Sequence, residues 1–314
     1  MKKVVFSALL SFCCLSSVFS QFDAQLSQYM FHNSAFNPAA VGEDEMIQMT
    51  FHKRWQWLGM PNAGAPLFLS VNSPFKIGTG VHGIGIKLLN DDIGLFTNVS
   101  VHLQYAYKKP IGDGVLSLGG DIGFVNFGFR GDSTYLPESE YHDQTDLQIP
   151  KTSVKGMGLD LNAGVFYSSP KFYSGLSYSH LNAPTINLDD NIDFRLPGTL
   201  YFTGGYNYVL PDSKFVLKPS TLLKTDFISM QCDVSTRLDY DNKYWGGLSY
   251  RIQDAVVVLA GMNIAGGLTV GFSYDLPTSK IGLVSYGSFE LLAVYSFEYV
   301  FQKKNTKFKS IRIL

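Results

Sequence analysis

Alternation dominates this chain. Between Leu95 and Lys108 the odd positions Thr97, Val99, Val101, Leu103, Tyr105 and Tyr107 are separated by Asn98, Ser100, His102, Gln104 and Lys108. Period two puts successive side chains on opposite faces of an extended strand, so the run is a ribbon with one apolar face and one polar face. The same partition sets Met157, Leu159, Leu161, Ala163, Val165 and Tyr167 against Gly158, Asp160, Asn162, Gly164 and Ser168. It recurs where Met230, Cys232, Val234, Thr236, Leu238 and Tyr240 oppose Gln231, Asp233, Ser235, Arg237 and Asp239. Further two-faced runs begin near Ile47, Leu67, Ile84, Leu116, Phe172, Leu200, Phe215, Tyr244, Ala255, Leu268 and Phe289, about fourteen in all.

Soluble sandwiches also alternate, so strand length and the content of the second face decide between them and a membrane barrel. Many runs here reach ten to thirteen residues, enough for a tilted strand to cross a bilayer, and their second face carries Gly, Ser, Asn, Asp and Arg, as a wet lumen requires. Trp55 and Trp57, Tyr105 and Tyr107, Tyr206 and Tyr208, and Tyr295 to Phe301 gather towards strand ends, where amphipathic rings sit at headgroup level. Hydrocarbon cannot pair an open sheet edge, so the strands must close on themselves. The expected fold is therefore an all-β, antiparallel, transmembrane barrel of the bacterial outer membrane.

Connection lengths agree. The even-to-odd junctions are short (SSPK after Tyr167, PDSK after Leu210, DNK after Tyr240, AGG after Ile264), whereas Gly128 to Gly156, Asn182 to Pro197 and Pro277 to Gly287 are long. That alternation predicts an even number of strands with both ends in the periplasm. Ala255 to Tyr274 carries no charge over its length and could pass for a membrane helix, but Gly261, Gly266, Gly267 and Gly271 and the alternation after Leu268 predict two strands joined at Ala265-Gly266-Gly267.

The N-terminus, MKKVVFSALLSFCCLSSVFS, has the charge, apolar core and small-residue end of an export signal. The expected organisation is a signal peptide over 1–20, a periplasmic or lumenal segment over 21–45, the barrel over 46–301 and a basic tail over 302–314. Cleavage near Gln21 removes Cys13 and Cys14, leaving Cys232 alone and no intramolecular disulfide. It also removes Lys2 and Lys3 and no acid, taking the formal charge from −1 to −3. Nucleic acid is not an expected partner, since the one basic cluster is the tail, Lys303, Lys304, Lys307, Lys309 and Arg312.

Motifs for chemistry are absent. His32, His52, His82, His102, His142 and His180 are scattered without metal-ligand spacing, and Gly175-Leu-Ser177-Tyr-Ser179 and Gly271-Phe-Ser273-Tyr-Asp275 miss the nucleophile elbow and sit in strands. The expectation is no catalytic residue, no metal and no cofactor. A hydrolase assembled from loop Asp, His and Ser residues stays open as a rival, because such a site is spatial.

An ordered set of segments carries a resemblance. FNPAAVG (Phe36 to Gly42), KRWQWLG (Lys53 to Gly59), GAP (Gly64 to Pro66), QYAY (Gln104 to Tyr107), KPSTLLK (Lys218 to Lys224), YWGGLSYR (Tyr244 to Arg251), GFSYDLP (Gly271 to Pro277) and YGSFELLAVYSF (Tyr286 to Phe297) together resemble the PorP/SprF family of type IX secretion system membrane proteins. Phe289 departs from the family, which commonly has His there, and leaves Glu290 as the candidate in that stretch. The resemblance implies a multi-pass outer-membrane component of gliding or protease-secreting bacteria. Its partners would be other type IX components in the outer membrane and periplasm, secreted cargo proteins and membrane lipid.

Two readings attach to the conspicuous residues. Asn37 and Pro38 form either a fixed turn or part of a docking surface; Arg54, Gln56 and Trp57 are either a belt anchor with a lumen salt bridge or more of that surface. Arg251, Asp275 and Glu290 read as a lumen charge network or as a recognition site. A general porin or a hydrophobic-substrate transporter is the alternative function, motivated by the polar inner face.

Overall fold

In the computed structural model the described residues are 23–78, 80–131, 152–189, 192–211 and 214–298. The expected export signal, the expected basic tail and Tyr299 to Phe301 of the expected aromatic strand end lie outside them. The strands are β1 (Ile47–Trp55), β2 (Leu67–Ile77), β3 (Gly80–Ile93), β4 (Phe96–Ile111), β5 (Gly114–Arg130), β6 (Ser153–Ser168), β7 (Phe172–Ser179), β8 (Thr185–Asp189), β9 (Ile192–Arg195), β10 (Thr199–Tyr206), β11 (Tyr208–Val209), β12 (Phe215–Thr225), β13 (Met230–Tyr240), β14 (Tyr244–Arg251), β15 (Ala255–Ile264), β16 (Leu268–Pro277) and β17 (Ser288–Phe297).

Fourteen of them, β1–β7, β10 and β12–β17, form a closed antiparallel barrel in chain order. Closure comes from β1 pairing with β17, and β10 pairing with both β7 and β12. The charge-free stretch from Ala255 is two strands turned at Gly266 and Gly267, both at positive φ, which glycine adopts without strain. No helix among the described residues is long and apolar enough to cross a membrane.

The faces follow the alternation. On β4, Ser100, His102, Gln104, Ala106 and Lys108 are buried inwards while Val99, Val101, Leu103, Tyr105 and Tyr107 are exposed outwards. On β13, Asp233, Ser235 and Asp239 point in, and Val234, Leu238 and Tyr240 point out. The exposed apolar side is the surface that hydrocarbon covers.

Connection lengths alternate less cleanly than expected. At the end where β1 begins and β17 finishes, hereafter the turn end, the links are tight except for 207–214, which holds β11. At the opposite, loop end, 94–95, 226–229 and 252–254 are tight as well, and length resides in 56–66, 131–152, 180–198 and 278–287. Tight links at the loop end arise where neighbouring strands reach the same height and need only a turn. A second departure is β8–β9, a hairpin within 180–198 that pairs only with itself. Its Ile186 and Leu188, with Leu196 just after it, are buried against Val125 and Phe127 on the inner face of β5, and Phe194 stacks on Phe127 with centroids 4.0 Å apart.

Residues 23–45 run through the barrel interior before β1. They make three short 3-10 turns, Tyr29–Phe31, Asn33–Ala35 and Pro38–Ala40. Leu26, Tyr29 and Phe36 from this segment pack with Phe68 of β2, Tyr201 of β10 and Leu222 of β12 into an apolar cluster across the lumen. Each such side chain withdrawn from water contributes about 1.5–3 kcal/mol, so the interior is packed at its centre. The wall is shaped to receive the segment: a Cβ on Gly83 would fall 2.0 Å from the Val41 carbonyl oxygen, and one on Gly119 2.5 Å from Ala39 Cα. Only glycine permits backbones to approach this closely.

Candidate functional site: the filled lumen

Strand register assembles a buried charge cluster. Arg54 of β1 stands directly opposite Glu290 of β17, and Asp233 of β13 opposite Arg251 of β14. Arg54 Nη1 donates to Glu290 at 2.7 Å and to Asp275 of β16 at 2.9 Å. Arg251 Nη1 reaches the same Asp275 at 2.9 Å, and its Nε lies 3.2 Å from Asp233. His52 Nε2 lies 2.9 Å from Glu290, and His52 Nδ1 lies 2.8 Å from His32 Nε2. A buried charge is tolerated only when paired and hydrogen-bonded, and this alternation of acid and base satisfies that condition.

The cluster grips the lumenal segment. Glu290 accepts from the backbone N–H of Ser27 at 2.7 Å and of Gln28 at 3.2 Å. The Ser27 hydroxyl donates to Asp275 at 3.0 Å and lies 3.1 Å from Arg54 Nη1 and 2.8 Å from Arg251 Nη2. Two arginines, two acids and one serine thus meet at a point.

A second network holds the start of the segment near the loop end. His180, in the connection after β7, bonds Asp160 of β6 at 2.9 Å and Asp23 at 3.2 Å. Burial alone would lower the His180 pKa; the hydrogen bonds to Asp160 and Asp23 outweigh it and push it up to about 10. Burial would raise Asp23, but the His180 hydrogen bond and charge hold its carboxyl below the ordinary carboxylate range. Tyr201 donates to Asp23, and Lys224 Nζ reaches its backbone carbonyl at 3.3 Å. Nearby, Asp121 of β5 pairs with Lys87 of β3 at 2.9 Å and with His102 of β4 at 3.0 Å.

The structure brings Arg54, Arg251, Asp275 and Glu290 together, with Gln56 accepting from Arg54 Nε at 3.3 Å. Trp57 stands apart at the rim, at φ 48°, its backbone N–H donating to Ser288 Oγ at 3.0 Å. Asn37 and Pro38 are elsewhere again, buried against β6 and β7. Asn37 Oδ1 accepts from Ala39 N–H at 2.9 Å and caps the turn that Pro38 opens, while Nδ2 donates to the Val165 carbonyl at 2.9 Å. Gly164 and Gly175 make the room: a Cβ on either would lie 2.2 Å or 2.7 Å from the Asn37 amide. Of the two readings of these residues, the geometry is that of a fixed turn at Asn37 and Pro38 and of a lumen charge network at Arg54, Arg251, Asp275 and Glu290. These side chains are buried, and what the charged four hold is the chain's own residues 27 and 28.

Sequence reading set the histidines aside as scattered, yet His32, His52, His102 and His180 all stand in these networks. The usable signal was parity, since His52 and His102 fall on the wet face of their strands. Among the described residues no group of three or more His, Cys, Asp or Glu is placed to hold a metal.

Two of the cavities among the described residues flank the segment. One of about 190 Å³ opens between Asn33, Glu43, Gln48, Asn72, Tyr173 and Arg237 on the turn-end side. The other, about 80 Å³, lies between Leu26, Phe68, Lys87, His102, Asp160 and His180.

None of the curated proteins searched matches the chain. Among solved structures it is similar to the toluene transporter TbuX of Ralstonia pickettii, at 12% identity and a TM-score of 0.53, over 88% of this chain and 94% of that one. It is also similar to the CymD monoaromatic hydrocarbon channel, at 11% identity and a TM-score of 0.47, over 90% and 95% of the two chains. The first likeness establishes the fold, an outer-membrane barrel. Residues 18–295 match the family model described as type IX secretion system membrane protein PorP/SprF, and with nearly the whole barrel inside that match the chain belongs to this family.

Proposed function

We propose that the protein is a non-enzymatic outer-membrane component that supports secretion or surface attachment of type IX cargo proteins through protein–protein contacts, working with other secretion components in the outer membrane and periplasm. The observation that carries this reading is the filled lumen. Leu26, Tyr29 and Phe36 close the centre, and Arg54, Arg251, Asp275 and Glu290 are engaged with Ser27 and Gln28. A barrel blocked by its own chain is suited to be a fixed platform with two rims. Deleting the gene should abolish secretion or surface display of at least one type IX cargo; unchanged display of every cargo would sink the reading.

A second reading, a pore or hydrophobic-substrate transporter, draws on the cavities of about 190 Å³ and 80 Å³ flanking the segment and on the toluene transport named for TbuX. Purified barrel in planar bilayers separates the two. Large constitutive conductance favours the pore, and silence favours the platform.

A further inference from the structure

Strand β6 outruns its neighbour β7. The two pair only from Ala163↔Tyr178 to Ser168↔Tyr173, whereas β6 stays paired with β5 up to Arg130↔Ser153. The odd residues of β6 turn their backbone groups towards the β7 side. The Leu161 carbonyl accepts from Leu181 N–H at 2.8 Å, Leu161 N–H donates to Asn182 Oδ1 at 3.1 Å, and Asn182 Nδ2 donates to the Leu159 carbonyl at 2.6 Å. Asn182 thus substitutes for one rung of a missing strand, and there the ladder stops. Among the described residues nothing meets the N–H of Leu159, or the N–H and C=O of Met157 and Lys155, on that side.

The height of this edge matters. In the β5–β6 register Leu159 faces Phe124 and Met157 faces Asn126. On the outer face of β5, Ile122 and Phe124 give way to Asn126, Gly128 and Arg130, so the apolar belt ends beside Leu159 and the unpaired rungs climb out of it. On the inner face the β8–β9 hairpin braces the strand: a Cβ on Gly156 would lie 2.2 Å from the Asn187 carbonyl oxygen and 2.6 Å from Ile186. The edge is supported from inside, and Lys155 is the one charge between residues 155 and 159. Sheet edges of this kind are the templates on which proteins add a strand.

We propose that the β6 edge from Lys155 to Leu159 is a docking site for an extended strand of a partner protein, added at the loop end by backbone pairing. Side-chain parity describes the occupant. Residues opposite Met157 and Leu159 point outwards at the margin of the belt and are apolar; an acidic residue suits the position opposite Lys155. Those opposite Gly156 and Gly158 turn inwards onto Ile186 and Pro184 and are small or apolar. The inference rests on the open ladder and stands whether or not the lumen conducts.

Amide hydrogen exchange on the full-length protein tests it, comparing native outer membranes with barrel purified in detergent. In detergent the Met157 and Leu159 amides should exchange at least about ten-fold faster than those of Gly156 and Gly158, which serve β5; in native membranes the difference should vanish. Met157→Pro removes an outward amide while sparing the β5 ladder, and should restore fast exchange at Leu159 in native membranes. If that variant loses the heat-modifiable mobility of a folded barrel, Lys155→Pro tests the next rung. Protection of Met157 and Leu159 already present in purified barrel would overturn the proposal, as would fast exchange in native membranes or unchanged protection at Leu159 in the folded proline variant.

Discussion

Replacing Glu290 by alanine should release the lumenal segment while leaving the barrel wall standing. Glu290 accepts from Ser27 N–H, Gln28 N–H, Arg54, His52 and the Ser273 hydroxyl, and only the first two tie down the segment. Hydrogen bonds to a charged group are worth about 1.5–3 kcal/mol each, so the change withdraws about 3–6 kcal/mol from the segment's attachment. Arg54 keeps Asp275 at 2.9 Å, so no guanidinium is stranded, while His52 and Ser273 each lose one partner in the wall. At about 1.4 kcal/mol per decade, the population with residues 27 and 28 detached should rise about 10²- to 10⁴-fold. The assay is amide exchange at Ser27 and Gln28 in purified, folded barrel, with heat-modifiable mobility reporting the wall. Glu290→Gln, which keeps an acceptor and loses the charge, should fall between. Wild-type exchange at both amides in an intact Glu290→Ala barrel would refute the clamp.

Three further outcomes follow from the same geometry. Gly164→Ala should destabilise the barrel by about 1–3 kcal/mol, because its Cβ would stand 2.2 Å from Asn37 Oδ1 and force the amide off Val165; a lowered unfolding temperature on semi-native gels checks it. His180 has a pKa raised to about 10 from 6.5, so its link to Asp23 is fully present below the lower value and is lost as pH rises through the upper one. Exchange at residues 24–26 should therefore rise above about pH 10 by more than hydroxide catalysis raises every amide, and His180→Gln should remove that excess. Phe127→Ala should cost about 3–5 kcal/mol and free the β8–β9 hairpin from the wall, giving limited proteolysis within 185–195 of a barrel that otherwise stays folded.

What the sequence alone determined is what period two can carry. Each run's wet face and lipid face are local facts, as at Val99 to Tyr107 against Ser100 to Lys108, and closure follows because hydrocarbon leaves no edge unpaired. Arg54, Asp275 and Glu290 could be assigned to the inner face in this way. Their meeting could not: Arg54 and Glu290 lie 236 positions apart, and they face each other only because β1 and β17 close the barrel in one register. Residues 23–45 have no period at all, and their fit is written in the glycines of other strands, Gly83, Gly119, Gly164 and Gly175, each of which reads singly as a bend. The overhang of β6 is likewise a difference in height between neighbours. Faces are properties of a strand, but contact across a lumen is a sum of stagger around the whole sheet, and only the folded barrel performs that sum.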